Sequence, residues 1–264
     1  LAVFLPPLHG KSELVSKFFP AWFLGMHPDS RVILASYGAD FASSWGRKAR
    51  DLLVEHGDIF GVNMDMNSSA KNSWDISGHR GGMNTGGVGS GLTGMGASLL
   101  IIDDPVKDAE HANSGRYREA AKDWYRSVAH TRLAPDGRVV LIQTKGHEDD
   151  LGSWIVRESE EDWTIVNLPA LAEENDLLGR KPGEALWPER FSRDWLDRKR
   201  LEIGEYWFAA LYQLRLIQGQ YDRWKPVLVG IESTAYQAAL SQQLLTERAY
   251  PNRLNPPLIR LLVL

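Results

Sequence analysis

The sequence has no cysteine among its 264 residues. Disulfide staples and thiolate metal sites are therefore excluded, which fits a reducing compartment. It has no apolar run long enough to cross a membrane and no charged, apolar leader at its start. Internal repeats are missing too. Nor is there an excess of charge of one sign: 30 Lys and Arg face 34 Asp and Glu, for a net charge of −4. That balance argues against a strongly basic nucleic-acid binder but leaves room for a local basic channel. What is present is a core: 43% of residues are hydrophobic and 24% charged, as in a packed globular chain. The length suits one large domain, or one domain and a piece. Because Leu1 already lies in an apolar run, the chain reads as a fragment whose natural beginning lies upstream.

Two stretches carry chemistry. Pro6-Pro7-Leu8-His9-Gly10-Lys11-Ser12 follows the apolar run 1–5 and precedes a helical pattern over 13–24, which Pro20 should bend or end. Gly10 lets backbone N–H groups approach phosphate, Lys11 can reach the β- and γ-phosphates, and the Ser12 hydroxyl can ligate Mg²⁺. The following helix points its positive end at the anion. The glycine usual five places before the second is replaced by Leu5, and Gly-Lys-Ser also occurs by chance in surface turns. The second stretch, Ser98-Leu99-Leu100-Ile101-Ile102-Asp103-Asp104, reads as a buried strand ending in two carboxylates. Strand C-termini are where doubly wound sheets bind ligands. Asp103 is placed to hold Mg²⁺ and Asp104 to orient or deprotonate an attacking water. The pairing of the two stretches predicts a nucleotide-hydrolysing P-loop domain that uses ATP and Mg²⁺.

The rest of the chain supplies a frame. Residues 31–37, 138–143 and 163–168 read as further strands, and 39–55 and 106–133 as helical, with a break near 113–115. Arg47, Lys48 and Arg50 read as a solvated helix face rather than a DNA contact. Residues 59–78 suggest a strand pair or an irregular excursion. Residues 78–96 are rich in glycine, with eight of them from Gly81 to Gly96, which implies a mobile loop or backbone close to a ligand or neighbour. Thr144, polar and at a strand end, suits a sensor of the γ-phosphate; the acidic cluster after it suits that site or a helix N-terminus equally. Alternating strands and helices imply an α/β fold with a mainly parallel sheet flanked by helices. After Pro169 come an extended wrap, a helix capped by Ser192 through 203 and another over 205–214. A strand over 226–232 ending in Glu232 and a helix over 235–248 follow.

The segments 6–13, 100–107 and 144–151 resemble the large terminase subunit of tailed bacteriophages, and the likeness continues through 182–191 and Leu211-Tyr212-Gln213. The resemblance implies an ATPase motor that packages double-stranded DNA into a procapsid, joined to an RNase H-like nuclease. It implies a self-associated ring on a portal protein, a small terminase subunit as partner, no membrane, and a place in the cytoplasm of an infected bacterium or a prophage origin. His9, Gly10, Lys11, Ser12 and Glu13 would form the nucleotide-binding loop. Ser12 and Asp103 would hold the metal, Asp104 would be the catalytic carboxylate, and Thr144 would couple hydrolysis to movement. Glu232 resembles the second acidic position of the nuclease. Expected domains are an ATPase domain over 1–169, a helical linker over 170–213 and a partial RNase H-like segment over 214–264.

This chain departs from that pattern. Family members often carry Arg at Leu8, Arg at Met95 and Arg-Trp at Lys145-Gly146. With Met95 in an arginine's place, either turnover is slow or another arginine such as Arg80 serves. Asp222 does not sit in an apolar strand, and no third acidic residue follows Glu247 in a suitable setting, so 214–264 reads as a nuclease remnant without cutting activity. Two alternatives stay open: a helicase-like P-loop ATPase, and a non-catalytic prophage remnant that binds nucleotide or partner subunits.

Overall fold

A computed structural model describes residues 1–215, apart from 91, 93–95, 148 and 159–162. The expected strand and helix around Glu232, and Met95, lie outside the described residues.

Eight strands form one sheet: β1 (Ala2–Phe4), β2 (Arg31–Ser36), β3 (Met64–Ala70), β4 (Ser73–Ile76), β5 (Gly82–Gly87), β6 (Ala97–Asp103), β7 (Leu133–Gln143) and β8 (Ile165–Asn167). Their spatial order is β3-β4-β5-β2-β6-β7-β1-β8. From β5 to β8 every pairing among the described residues is parallel, and the β3–β4 and β4–β5 pairings at one edge are antiparallel. The continuous apolar runs of β2 and β6 suit this place, because a parallel strand covered by helices is buried on both faces. Alternation then divides each run. Val32, Leu34, Leu99 and Ile101 face one core, whereas Ile33, Ala35, Leu100 and Ile102 face the other.

The first core is covered by a π-helical segment, Glu13–Phe18, that runs into α1 (Phe19–Met26), and by α2 (Ala39–His56). Pro20 does not end this helix. The ladder widens just before it, with the Phe19 N–H donating to the Leu14 carbonyl, so proline's missing donor falls where the helix has already left regular spacing. Beyond α3 (Ala109–Asn113), the second core is covered by α4 (Gly115–Trp124), the π-helical turn Tyr125–Ala129 that follows it, and α5 (Leu151–Glu158). The acidic cluster before α5 includes its N-terminal cap: Asp150 Oδ1 accepts from the Ser153 N–H at 2.8 Å.

The first part of the glycine-rich stretch is a strand and not a mobile surface loop. Residues 82–87 are β5, buried along most of its length and paired from Arg31↔Gly82 to Ser36↔Gly87. The alternative expectation, backbone pressed against a neighbour, describes it. A Cβ on Gly82 would lie 2.2 Å from the Trp74 carbonyl oxygen.

After β8 a third cluster forms from Ala170, Leu171, Phe191, Leu196, Phe208 and Tyr212. It is tied by the Gln213 side-chain amide, which accepts from the Leu171 N–H at 3.0 Å and donates to the Leu171 carbonyl at 3.1 Å. α6 (Arg193–Leu211) starts at Ser192, whose Oγ accepts from the Trp195 N–H. Gly204, at φ 80°, kinks it where the sequence predicts two helices.

Candidate nucleotide site

Parallel register brings the chemistry to one edge of the sheet. Phe4 pairs with Gln143, Asp103 with Ile142, and Ser36 with Asp103, so the loops after β1, β6 and β7 leave side by side. The loop after β1 turns through Leu8 at φ 62° and Gly10 at φ 82°, and its last carbonyl before the helix, that of Gly10, accepts from the Leu14 N–H at 3.0 Å. Gly10 is there because an L side chain is strained at such a φ.

Lys11 Nζ lies 2.6 Å from Asp104 Oδ2 and donates to Thr144 Oγ1 at 2.6 Å. The other Asp104 oxygen accepts from the Thr144 backbone N–H at 2.9 Å. Asp104 holds a left-handed φ of 43°, and three hydrogen bonds to its backbone fix it: its N–H donates to the Ile142 carbonyl, and its carbonyl accepts from Tyr37 N–H and from Ser36 Oγ. Strain of this kind persists only where surrounding structure imposes it.

Asp103 is fully buried at the end of β6. Its Oδ1 accepts from Ser12 Oγ at 3.1 Å and its Oδ2 from Ser16 Oγ at 2.7 Å. Burial, and then the neighbouring Asp104 carboxylate, push its pKa up to about 6, against the pull of the two hydroxyls and Lys11. A buried carboxyl so raised is relieved by a cation, and its partner Ser12 adds a second hard oxygen. That donor set fits Mg²⁺, which takes one or two protein oxygens and completes its shell with phosphate and water.

Of the residues singled out in the sequence, Lys11, Ser12, Asp103, Asp104 and Thr144 thus meet directly, on a turn set by Gly10. Glu13 is turned elsewhere, towards Lys17 at 3.3 Å and Lys48 at 3.6 Å. His9 is buried, and its ring stacks on Phe191 at 4.4 Å. Its Nδ1 donates to the Pro7 carbonyl at 2.8 Å, leaving Nε2 as an acceptor without a partner among the described residues. Burial, with the Arg190 and Arg180 charges adding to it, holds the ring's pKa below its usual value against the Pro7 bond. Glu232 lies outside the described residues.

Arg80 cannot take an arginine's role at this site within its own chain. It precedes β5, whose parallel register puts Gly82 beside Arg31 and only Gly87 beside Ser36 and the Asp103 end. At about 3.3 Å per residue, Arg80 begins roughly 20 Å away, at the opposite edge of the sheet. Lys145 is withdrawn as well: its Nζ lies 4.7 Å over the Phe4 ring and burial lowers its pKa.

Four participants were not assigned to the site from the sequence, although Asp150, Trp187 and Phe191 lie in segments that carry the resemblance. Ser16 looks like a helix residue of no special kind, although its place four residues after Ser12 puts both hydroxyls on one face. Asp150, buried, accepts through Oδ2 from the Gly146 and His147 N–H groups and so braces the loop after Thr144. Trp187 and Phe191 reach the phosphate loop from far along the chain.

Residues 4–205 match the family described as terminase large subunit, T4likevirus-type, N-terminal. No curated protein matches the chain. Among solved structures, the large terminase ATPase domain of Thermus phage P74-26 aligns with a TM-score of 0.51 at 15% identity, covering 81% of this chain and 87% of that one. A mutant of the same domain aligns at 0.50 and 14%, covering 81% and 88%. The large terminase of bacteriophage HK97 aligns at 0.49 and 14%, covering 82% of this chain and 46% of that one. At these identities the two Thermus phage matches speak for the fold.

Proposed function

The chain belongs to the large terminase subunit family, and we propose that it is an ATP-hydrolysing motor for packaging viral DNA into a procapsid. The observation that carries this reading is the meeting of Lys11, Asp104 and Thr144 within 2.6–2.9 Å at the C-terminal edge of a parallel sheet. A lysine at a phosphate loop, a carboxylate able to take a proton and a polar strand-end sensor are the parts phosphoryl transfer to water requires.

In this reading the loop N–H groups after Gly10 face the phosphates, and Lys11 exchanges the Asp104 carboxylate for phosphate oxygen. Asp104, released, orients the attacking water and accepts its proton. Ser12 and Asp103 would hold Mg²⁺, which would supply charge neutralisation on the phosphates when bound. Thr144 touches both Lys11 and Asp104, so it reports the exchange to the loop that Asp150 braces.

The assignment of residues 1–169 to the ATPase domain and of 170–213 to a helical linker belongs to the same proposal, as does a non-cutting remnant of an RNase H-like nuclease over 214–264. Mg²⁺- or Mn²⁺-dependent nicking of plasmid, abolished by Glu232→Ala, would refute the last. Double-stranded DNA, a portal protein, a small terminase subunit and further copies of the chain in a ring are the partners, in the cytoplasm of an infected or prophage-carrying bacterium.

The test is phosphate release from Mg-ATP by the purified chain, with and without double-stranded DNA. Hydrolysis lost in Lys11→Ala supports the motor. Nucleotide binding without turnover, even at high protein concentration, would select a non-catalytic role, and strand separation of a duplex would select a helicase.

A further inference from the structure

The phosphate loop is poor in positive charge for the ligand it faces. A nucleoside triphosphate carries several negative charges, and Lys11, the loop's own cation, is already engaged by Asp104. Leu8 at the loop's tip is 69% exposed and brings none. A second cation lies beside the loop, on a segment 180 residues along the chain. Phe191 stacks on His9, and Trp187 Cζ3 stands 4.0 Å from where a Cβ on Gly10 would be. Between these two anchors the Arg190 guanidinium lies 5.1 Å from the Trp187 ring and 5.3 Å from the Phe191 ring. The neighbouring Arg180 is neutralised by Asp176 at 2.6 Å. Arg190 is exposed, and among the described residues no carboxylate pairs with it. A guanidinium held only by ring faces keeps its N–H fork available for an anion.

We infer that Arg190 is a nucleotide-contacting residue: with Trp187 and Phe191 as its platform, it binds the polyphosphate of the nucleotide that Lys11 grips. This rests on the reading of the loop as an ATP site. His9 joins the two sides. Its Nδ1–H is committed to Pro7, its buried Nε2 has no partner among the described residues, and the Arg190 charge acts on the ring, so Nε2 could take one guanidinium N–H while the others meet phosphate. The same contact makes the segment after the sheet responsive to the phosphates, since the platform sits on the third hydrophobic cluster through Phe191.

The experiment compares the full chain with Arg190→Ala, Arg190→Lys and Lys11→Ala, using Mg-ATP as substrate and inorganic triphosphate as competitor. Thermal unfolding verifies that each variant is folded. Arg190→Ala is expected to raise KM for ATP and the inhibition constant of inorganic triphosphate together, by about tenfold or more, as for loss of a hydrogen bond to a charged group, with a smaller change in kcat. Arg190→Lys should recover part of the affinity, because the charge remains while the two-pronged contact is lost. A structural role alone would lower thermal stability and would not move the triphosphate constant. Unchanged constants in Arg190→Ala, with hydrolysis still lost in Lys11→Ala, overturn this inference and leave the ATP site standing. A weaker KM for ATP with unchanged competition by inorganic triphosphate also overturns it, since the contact would then lie on the nucleoside. A full chain that neither binds nor hydrolyses ATP overturns both.

Discussion

Lys11 Nζ is 2.6 Å from Asp104 Oδ2, so the cation placed for phosphate and the carboxylate placed for water are bound to each other. Each group restrains the other. The lysine must leave the carboxylate to reach a phosphate oxygen, and the same departure frees the carboxylate to accept a proton. One exchange of partners therefore prepares both ends of the reaction.

From this follows an asymmetric effect of Asp104→Asn. The neutral amide still accepts a hydrogen bond but no longer competes for the ammonium charge. We expect ATP to bind a few times more tightly while kcat falls by about a hundredfold or more, the usual contribution of a general base. Titration with a fluorescent nucleotide, alongside phosphate release, checks both. Weaker binding in Asp104→Asn would show that the pair does not restrain Lys11.

Asp103 gives a pH dependence. Its folded pKa is raised to about 6 by burial and by the Asp104 charge. A raised carboxyl pKa means the folded state holds the proton more firmly than the unfolded chain does. The contribution to stability is therefore fully present below the unfolded value of about 4 and is lost as pH rises through about 6. Two units correspond to about 3 kcal/mol at most, as an order of magnitude. In chelator, Asp103→Asn should therefore be more stable than the parent at about pH 8, and the difference should shrink towards about pH 4. Added Mg²⁺ should narrow the gap at high pH by stabilising the parent alone. Urea unfolding across that range is the measurement, and a parent as stable as Asp103→Asn at high pH would contradict it.

Thr144 is expected to act on the chemical step through its hydroxyl. Thr144→Val keeps the backbone N–H that Asp104 Oδ1 accepts and removes only the Oγ1 bonded to Lys11. We expect kcat to fall about tenfold, as for loss of a hydrogen bond to a charged group, with KM for ATP nearly unchanged. Thr144→Ser should restore the rate. Steady-state kinetics of the two variants decide, and equal loss in both would point to packing of the Thr144 methyl instead.

Much of this site was legible in the sequence because its members stand at the ends of apolar runs. Residues 98–104 and 138–144 announce buried strands, and a parallel sheet must bring such ends together. Leu5, where a glycine is usual, did not matter, since the left-handed turns fall at Leu8 and Gly10. The parts that stayed hidden are those whose reason is tertiary. β5 is Gly-Met-Asn-Thr-Gly-Gly, a run whose three glycines give little strand propensity; it forms because Met83 is buried in the first core and its neighbours press on the backbone at Gly82 and Gly86. The contact of His9 with Phe191 joins residues 182 positions apart, and no local pattern encodes it. Gly204 was readable as a helix break for the opposite reason: a backbone at positive φ favours glycine.

The glycine strand yields the sharpest structural prediction. A Cβ on Gly82 would stand 2.2 Å from the Trp74 carbonyl oxygen and 2.8 Å from Asp75 Oδ1. The Trp74 backbone cannot easily retreat, because its indole is fully buried and donates to the Gly46 carbonyl at 3.0 Å. Asp75 is held as well, by Arg31 at 2.5 Å and by Ser68. Gly82→Ala must therefore separate β4 from β5, and we expect it to destabilise the fold by about 3 kcal/mol, at the upper end of overpacking costs. Gly96 is the control: an added Cβ meets nothing within 4 Å among the described residues, so Gly96→Ala should stay within about 0.5 kcal/mol of the parent. Urea unfolding of both variants separates the two readings of this stretch. If Gly82→Ala were as harmless as Gly96→Ala, the glycines would mark a loop, and β5 would not hold the β3–β4 hairpin to the sheet.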